Sequence, residues 1–164
     1  MSKFEGKLKS SKDILFAFCF LNTTMTKDIK EKLEKISMAV IKNKNGKVLI
    51  IERARPEKGS DDTKLVWAFP GGRLEDGEKA EEAAIRETLD ETGYIISSKG
   101  LISERDHPQF PFHIYYFDCE MVPGPSKVAW EIHEINGCKW VNPADLKNYF
   151  ATNLDPGVAK HLGI

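Results

Sequence analysis

Glu87, Asp90 and Glu91 stand at i, i+3 and i+4 in a stretch that reads GGRLEDGEKAEEAAIRETLDETGY from Gly71 to Tyr94. From Glu78 onward the residues are strong helix formers, and Gly93 supplies a stop. At about 100° per residue the three carboxylates share one helical face. Ala80, Ala83 and Ala84 lie on that face one to two turns earlier, and Ile85 and Leu89 lie on the opposite side. Like charges at these spacings cost a few tenths of a kcal/mol per pair, so something cationic is expected against them. Oxygen donors with no cysteine or histidine among them suit a hard divalent cation, Mg²⁺ or Mn²⁺. Upstream, Gly71 and Gly72 follow Pro70 and let backbone approach a ligand closely, and Glu75-Asp76-Gly77 makes a tight turn.

This stretch resembles the Nudix box, G-x5-E-x7-R-E-U-x-E-E-x-G-U, where U is a bulky apolar residue. Gly72, Glu78, Arg86, Glu87, Glu91 and Gly93 fall in register, and Trp67-Ala-Phe-Pro-Gly-Gly is a typical lead-in. Asp90 stands where the box has Glu, Thr88 stands at an apolar position, and Tyr94 is a loose fit at the last one. The resemblance implies a Nudix-type α/β/α sandwich with a mixed curved sheet, covering roughly Ile36 to Ile164. It implies Mg²⁺-dependent hydrolysis of the diphosphate linkage in a nucleoside diphosphate joined to a group X. The metal-binding positions are then Glu87, Asp90, Glu91 and the carbonyl of Gly71, with Glu78 secondary. Arg86 matches the residue that orients the catalytic carboxylates. Glu131 and Glu134, in the acidic segment before Trp140, match a loop that supplies a general base or a further metal anchor in many members; Glu87 is the base if that loop does not.

Cationic side chains are needed to hold phosphate oxygens. Arg53 and Arg55 leave the second expected strand, and Arg73 and Lys79 flank the turn. Trp67, Phe69, Phe110, Phe112, Tyr115 and Trp130 are available to stack on a base, although aromatic residues more often fill cores. The tail Asn153-Leu-Asp-Pro looks like the end of MutT-type nucleoside triphosphatases and makes Asn153 and Asp155 candidates for base recognition. Gln109-Phe110-Pro111-Phe112 faintly resembles the array of NADH diphosphatases, and Pro108 and Pro111 bracket a proline position of ADP-ribose diphosphatases. A (d)NTP, including an oxidised one, is the leading substrate. ADP-ribose or another nucleoside diphosphate sugar is the runner-up, and a catalytically weak nucleotide sensor is the rival of another class.

Several elements must position these groups. Ile36–Ile41 and Val48–Ile51 are apolar runs around Asn45-Gly46, a hairpin signal. Val48–Ile51 is apolar throughout, as in a strand covered on both faces. A polar loop is expected over Arg53–Lys64. Short strands are expected over Val66–Phe69 and Cys138–Val141, and a strand broken near Gly100 over Ile95–Glu104. Phe112–Met121 reads as a long aromatic strand ended by Pro123-Gly124-Pro125. Pro143 opens a short helix, and Pro156–Leu162 a last turn or two.

The chain has 164 residues, 41% of them hydrophobic and 30% charged, which fits one globular core. A net charge of −1 excludes a global basic field that would recruit nucleic acid. Cys19, Cys119 and Cys138 form no C-x-x-C, so neither a disulfide framework nor a zinc site is indicated and a cytoplasmic, reducing setting is expected. The four histidines show no ligand spacing. Residues 1–35 read as an extension: a short helix over Lys27–Lys35, and before it Ile14–Leu21, too short to span a bilayer and without a following signal-cleavage site. The apolar run is expected to be a buried strand or one arm of a homodimer.

Overall fold

In a computed structural model the described residues are 33–58, 64–124 and 133–164; apart from Leu33 they belong to the compact unit Glu34–Ile164. Strands β1 (Glu34–Ile41), β2 (Val48–Lys58), β3 (Lys64–Ala68) and β4 (Gly71–Arg73) precede helix α1 (Ala80–Thr92). Strands β5 (Ile96–Asp106), β6 (Phe112–Met121) and β7 (Ile135–Val141) follow. A 3-10 helix (Pro143–Asn148) and helix α2 (Pro156–Leu162) end the chain. The strands form two sheets, ordered β4-β1-β6-β5 and β3-β2-β7. The first is mixed, because β1 runs parallel to β6 and antiparallel to β4.

Alternation along β1 divides the interior in two. Ile36, Met38 and Val40 point to a core completed by Ile50, Phe69, Tyr116, Leu146 of the 3-10 helix and Val158 of α2. Ala39 and Ile41 point the other way, to Leu49, Phe117 and Ala84 of α1. The sheets therefore lie between helices, as the sandwich expectation requires. Val48, Leu49 and Ile50 are 0% exposed, which is why that run carries no polar alternation.

The turn at Asn45-Gly46 forms, with the Asn43 side chain accepting the amides of Asn45 and Lys47 and Gly46 at φ 73°. The flanking strands do not pair as a hairpin. A single bridge, Lys42 to Val48, joins them before they enter different sheets. Other expectations are corrected in length. Arg53–Lys58 continues β2 rather than forming a loop, and β7 begins at Ile135. Strand β5 runs through Gly100, whose φ of 132° accommodates a register shift between Ser98 and Gly100. The Pro143 helix is 3-10. Ile14–Leu21 lies outside the described residues, as does the expected helix over residues 27–32; Glu34 and Lys35 already belong to β1. Among the described residues no helix is long and apolar enough to cross a membrane.

Candidate active site

Gly71 and Gly72 are where the carboxylate helix meets the sheet. Gly71 pairs with Met38 and Gly72 with Ser37 on β1, and Ala39 donates its amide to Pro70 at 2.8 Å. Gly71 has φ 146°, and a Cβ there would sit 2.0 Å from the Ser37 carbonyl oxygen. Its amide donates to Glu91 Oε2 at 2.9 Å, so a helix carboxylate is tied to the strand that precedes the turn. At Gly72 a Cβ would lie 2.6 Å from the Glu87 carboxyl carbon. The missing side chain is thus the space in which the Glu87 carboxylate rests.

Helix α1 starts two residues after Glu78, with Lys79 as N-cap, and ends on the left-handed cap Gly93. It buries Ala83, Ala84, Thr88 and Glu91. Thr88 fills its apolar position by donating its hydroxyl to the Ala84 carbonyl at 2.7 Å, which removes the cost of burying it. Arg86 grips Glu78 with two nitrogens, at 2.8 and 2.9 Å, reaches Glu87 Oε1 at 2.9 Å, and donates to the Arg73 carbonyl at 3.1 Å. Such a forked pairing restrains both carboxylates.

The two carboxylates respond oppositely. The Arg86 hydrogen bonds hold Glu78 below its ordinary range. Burial pushes Glu87 up, with Arg86 opposing and Asp90 and Glu78 adding repulsion. A carboxyl depressed in the folded state stabilises the protein above its unfolded pKa, and that stabilisation is lost as pH falls through the folded value. Glu78→Gln should therefore lower stability at neutral pH by about 1.5–3 kcal/mol, the range for hydrogen bonds to charged groups. The difference from the unsubstituted protein should shrink as pH falls below the ordinary carboxylate range, as urea unfolding at a series of pH values would show.

These groups open onto a cleft with about 280 Å³ of space. Gly71, Gly72, Arg73, Glu87 and Glu91 form one wall; Trp67, Phe69, Phe112, Arg53, Glu134 and Asn153 also line the cleft. Trp67 stands edge-on to Tyr149 at 5.4 Å. Phe69 is 3% exposed and serves as floor, packed edge-on against Phe150 at 4.9 Å. Glu134 precedes β7, and its carbonyl accepts the Ala54 amide at 2.8 Å, which fixes it beside Arg53. Arg73 at the mouth is paired with Glu34 at 2.7 Å.

Other expected residues lie elsewhere. The pairing of β2 shifts register between Glu52 and Glu57, so Arg53 and Glu57 face the cleft while Arg55 is exposed and outside its lining. Phe110 is not in the lining but stacks on Phe112, with centroids 5.6 Å apart. Asp155 is 4% exposed and caps α2 by accepting the Val158 amide, with Ser103 as a second donor; its carboxylate is committed to folding. Asp90 is half-buried outside the lining, Tyr115 packs against the core on the α1 side, and Lys79 is exposed beside Glu82. Glu131 and Trp130 lie outside the described residues. Sequence reasoning passed over Glu57, Arg105 and His107, all cleft-lining. Extending the expected β5 strand two residues past Glu104 would have put Arg105 inside it, with His107 directly after its end.

Among the described residues no three acidic, histidine or cysteine side chains converge into a preformed metal cage. The donors still fit a hard cation of the Mg²⁺ type, which keeps several waters and takes only one or two protein carboxylates: Glu87 and Glu91 share a wall with Gly71, and all three offer oxygen.

A glycine turn, a carboxylate helix and a cleft carrying arginines and aromatic rings define the class. The chain belongs to the Nudix family: the profile of the NUDIX domain matches residues 33–162. Members are pyrophosphatases that act on phosphoanhydride bonds, generally with a divalent metal. A Bacillus subtilis (strain 168) protein described as a candidate 8-oxo-dGTP diphosphatase is 32% identical over 117 residues, covering 71% of this chain and 72% of that protein. The Xenopus laevis protein named nucleoside diphosphate-linked moiety X motif 6 is 31% identical over 115 residues, 68% of this chain but only 50% of its own length. The fold matches a NUDIX hydrolase from Nitrosomonas europaea with a TM-score of 0.61 at 22% identity, over 80% of this chain and 87% of that one.

Proposed function

We propose that this chain is a Mg²⁺-dependent pyrophosphohydrolase of a small nucleotide, cleaving a (d)NTP or an oxidised (d)NTP to the monophosphate and pyrophosphate. The observation that carries this is the placing of the Glu87 and Glu91 carboxylates on the Gly71-Gly72 wall of a cleft lined by arginines and aromatic rings. The B. subtilis relative supports an oxidised purine nucleotide as the substrate. Glu87, Glu91 and the Gly71 carbonyl would hold the metal, with Asp90 adding charge at its edge. When bound, Mg²⁺ neutralises phosphate oxygens and lowers the pKa of a coordinated water.

The chain's own side chains supply the rest. Arg86 holds Glu87 in place, so the carboxylate is oriented before substrate arrives. Arg73 is the phosphate-binding cation, and Arg53 meets the substrate farther along the cleft. Trp67 and Phe112 are the stacking surfaces, with Phe69 beneath them. Glu134 is exposed at the cleft and accepts the proton of the attacking water on its carboxylate. Glu134→Gln should lower kcat by ~10²-fold with KM nearly unchanged, the pattern of a group acting in the transition state. Full kcat in that variant would move the base to Glu87.

Turnover of dGTP, 8-oxo-dGTP, dATP and ADP-ribose with Mg²⁺, with products identified, tests the substrate. A triphosphate should give the highest kcat/KM and yield monophosphate and pyrophosphate. ADP-ribose turned over well above every triphosphate would reverse the assignment.

A further inference from the structure

The mixed sheet carries an opposed pair of walls. Ile36 of β1 pairs with Arg73 of β4 on one side and with Ile114 of β6 on the other, and Ile114 pairs with Arg105 of β5. Arg73, Ile36, Ile114 and Arg105 therefore lie in one row, with Arg105 about 14 Å from Arg73 at ~4.8 Å per strand. Gly72, against which Glu87 rests, sits beside Arg73 at the first end of that row. The row's other end is built from hydrogen-bond donors.

Arg105 is held from behind. Its Nη2 donates to the Asn153 carbonyl at 2.9 Å, its Nε lies 3.9 Å from Asp155, and its positive charge acts on the buried Tyr116 hydroxyl. A guanidinium has five N–H donors in a fixed plane, and Arg105 still faces the cleft. His107 Nδ1 accepts the Gln109 amide at 3.1 Å. Burial, then the nearby Arg105 charge, pushes its pKa down, so the ring is neutral with its hydrogen on Nε2, a donor. From the second sheet Arg53 gives Nη1 to Glu57 at 3.1 Å, while its buried Nε has no hydrogen-bond partner among the described residues. Of the acidic side chains near these donors, Glu57 is occupied by Arg53 and Asp155 caps α2, while Glu134 lines the cleft beside Arg53.

We propose that Arg53, Arg105 and His107 form a donor pole that binds an acceptor oxygen at the end of the substrate distal to the cleaved diphosphate, and so determine specificity. That oxygen is a keto oxygen of a base or a hydroxyl oxygen of a distal sugar; a donor-bearing amino edge is disfavoured there, because it leaves the pole unpaired. This rests on the cleft taking a nucleotide, and the test separates the two.

The experiment uses the full chain and the variants Arg105→Gln, Arg53→Gln and His107→Phe, with thermal unfolding as a check on folding. Arg105 also ties down Asn153, so His107→Phe, which touches neither Asn153 nor Asp155, is the second arm. Steady-state kinetics with Mg²⁺ and binding by intrinsic tryptophan fluorescence with Ca²⁺ are measured for dGTP, dATP and ADP-ribose. A keto oxygen at the pole predicts preference for dGTP over dATP, with each variant raising the KM and Kd of dGTP by roughly 10–100-fold, the loss of one hydrogen bond to a charged or buried donor, and the dGTP/dATP ratio collapsing toward one. A sugar oxygen predicts the same rise for ADP-ribose with that ratio unchanged. Folded variants in which no KM or Kd moves by more than twofold overturn the pole. If the unsubstituted protein binds these ligands but hydrolyses none, and the variants weaken binding, the pole stands and the hydrolytic reading falls. If it neither binds nor hydrolyses any, both fall.

Discussion

Glu87→Gln is expected to lower kcat by ~10²–10³-fold, the loss that follows removal of one well-placed electrostatic group from an active site. Gln keeps the volume and one acceptor oxygen, so the hydrogen bond from Arg86 has a partner and the rest of Arg86, gripped by Glu78, stays in place. The substitution removes the negative charge, and with it the affinity for a hard cation. Because burial already pushes this carboxyl up, the folded protein loses little by its neutralisation, and urea unfolding should show equal or slightly higher stability. Glu91→Gln tests the second carboxylate. Glu91 is 8% exposed and accepts the Gly71 amide, an acceptor role Gln retains, so activity should fall while the fold holds. Near-normal turnover in either folded variant would remove that residue from the metal site.

The adjacent glycines should separate activity from folding. Gly72→Ala puts a Cβ 2.6 Å from the Glu87 carboxyl carbon and 2.7–2.8 Å from its oxygens. Those atoms end a flexible side chain, so the fold should survive with Glu87 displaced; a shift of about 1 Å costs on the order of 10²-fold in rate. Gly71→Ala meets backbone instead, at 2.0 Å from the Ser37 oxygen and 2.8 Å from the Met38 Cα, at a φ of 146°. Neither strand can yield without breaking the β1–β4 pairing, so a loss of about 3 kcal/mol or more is expected. Denaturant unfolding and kcat together check both: an inactive but stable Gly72→Ala, and a Gly71→Ala that unfolds early. A fully active Gly72→Ala would show that Glu87 needs no such cradle.

The carboxylate helix was legible because its information is local: spacing, helix propensity and a glycine stop lie within one stretch, and α1 ends at Gly93 as read. The bounds of β6 were legible for the same reason, an aromatic run between proline breaks. Pairing was not. Asn45-Gly46 specifies a turn, but the partner of each strand is set by burial on both faces of β1 and β2, which no short window contains. Arg55 was misplaced because alternation fails across the shift between Glu52 and Glu57. Asp155 carried a cap signal, standing before Pro156 at the first helical position, yet was read as a ligand to substrate because of the resemblance of the tail. Arg105 and His107 reach the cleft only through the β5–β6 pairing, a long-range register.

The most direct test of the central claim, that Glu87 and Glu91 hold a divalent cation at the head of this cleft, is a Mn²⁺ titration followed by electron paramagnetic resonance. The unsubstituted protein should deplete the free Mn²⁺ signal saturably, and the Glu87→Gln/Glu91→Gln double variant, shown to be folded, should leave it nearly intact. Equal depletion of Mn²⁺ by the two proteins would contradict the account.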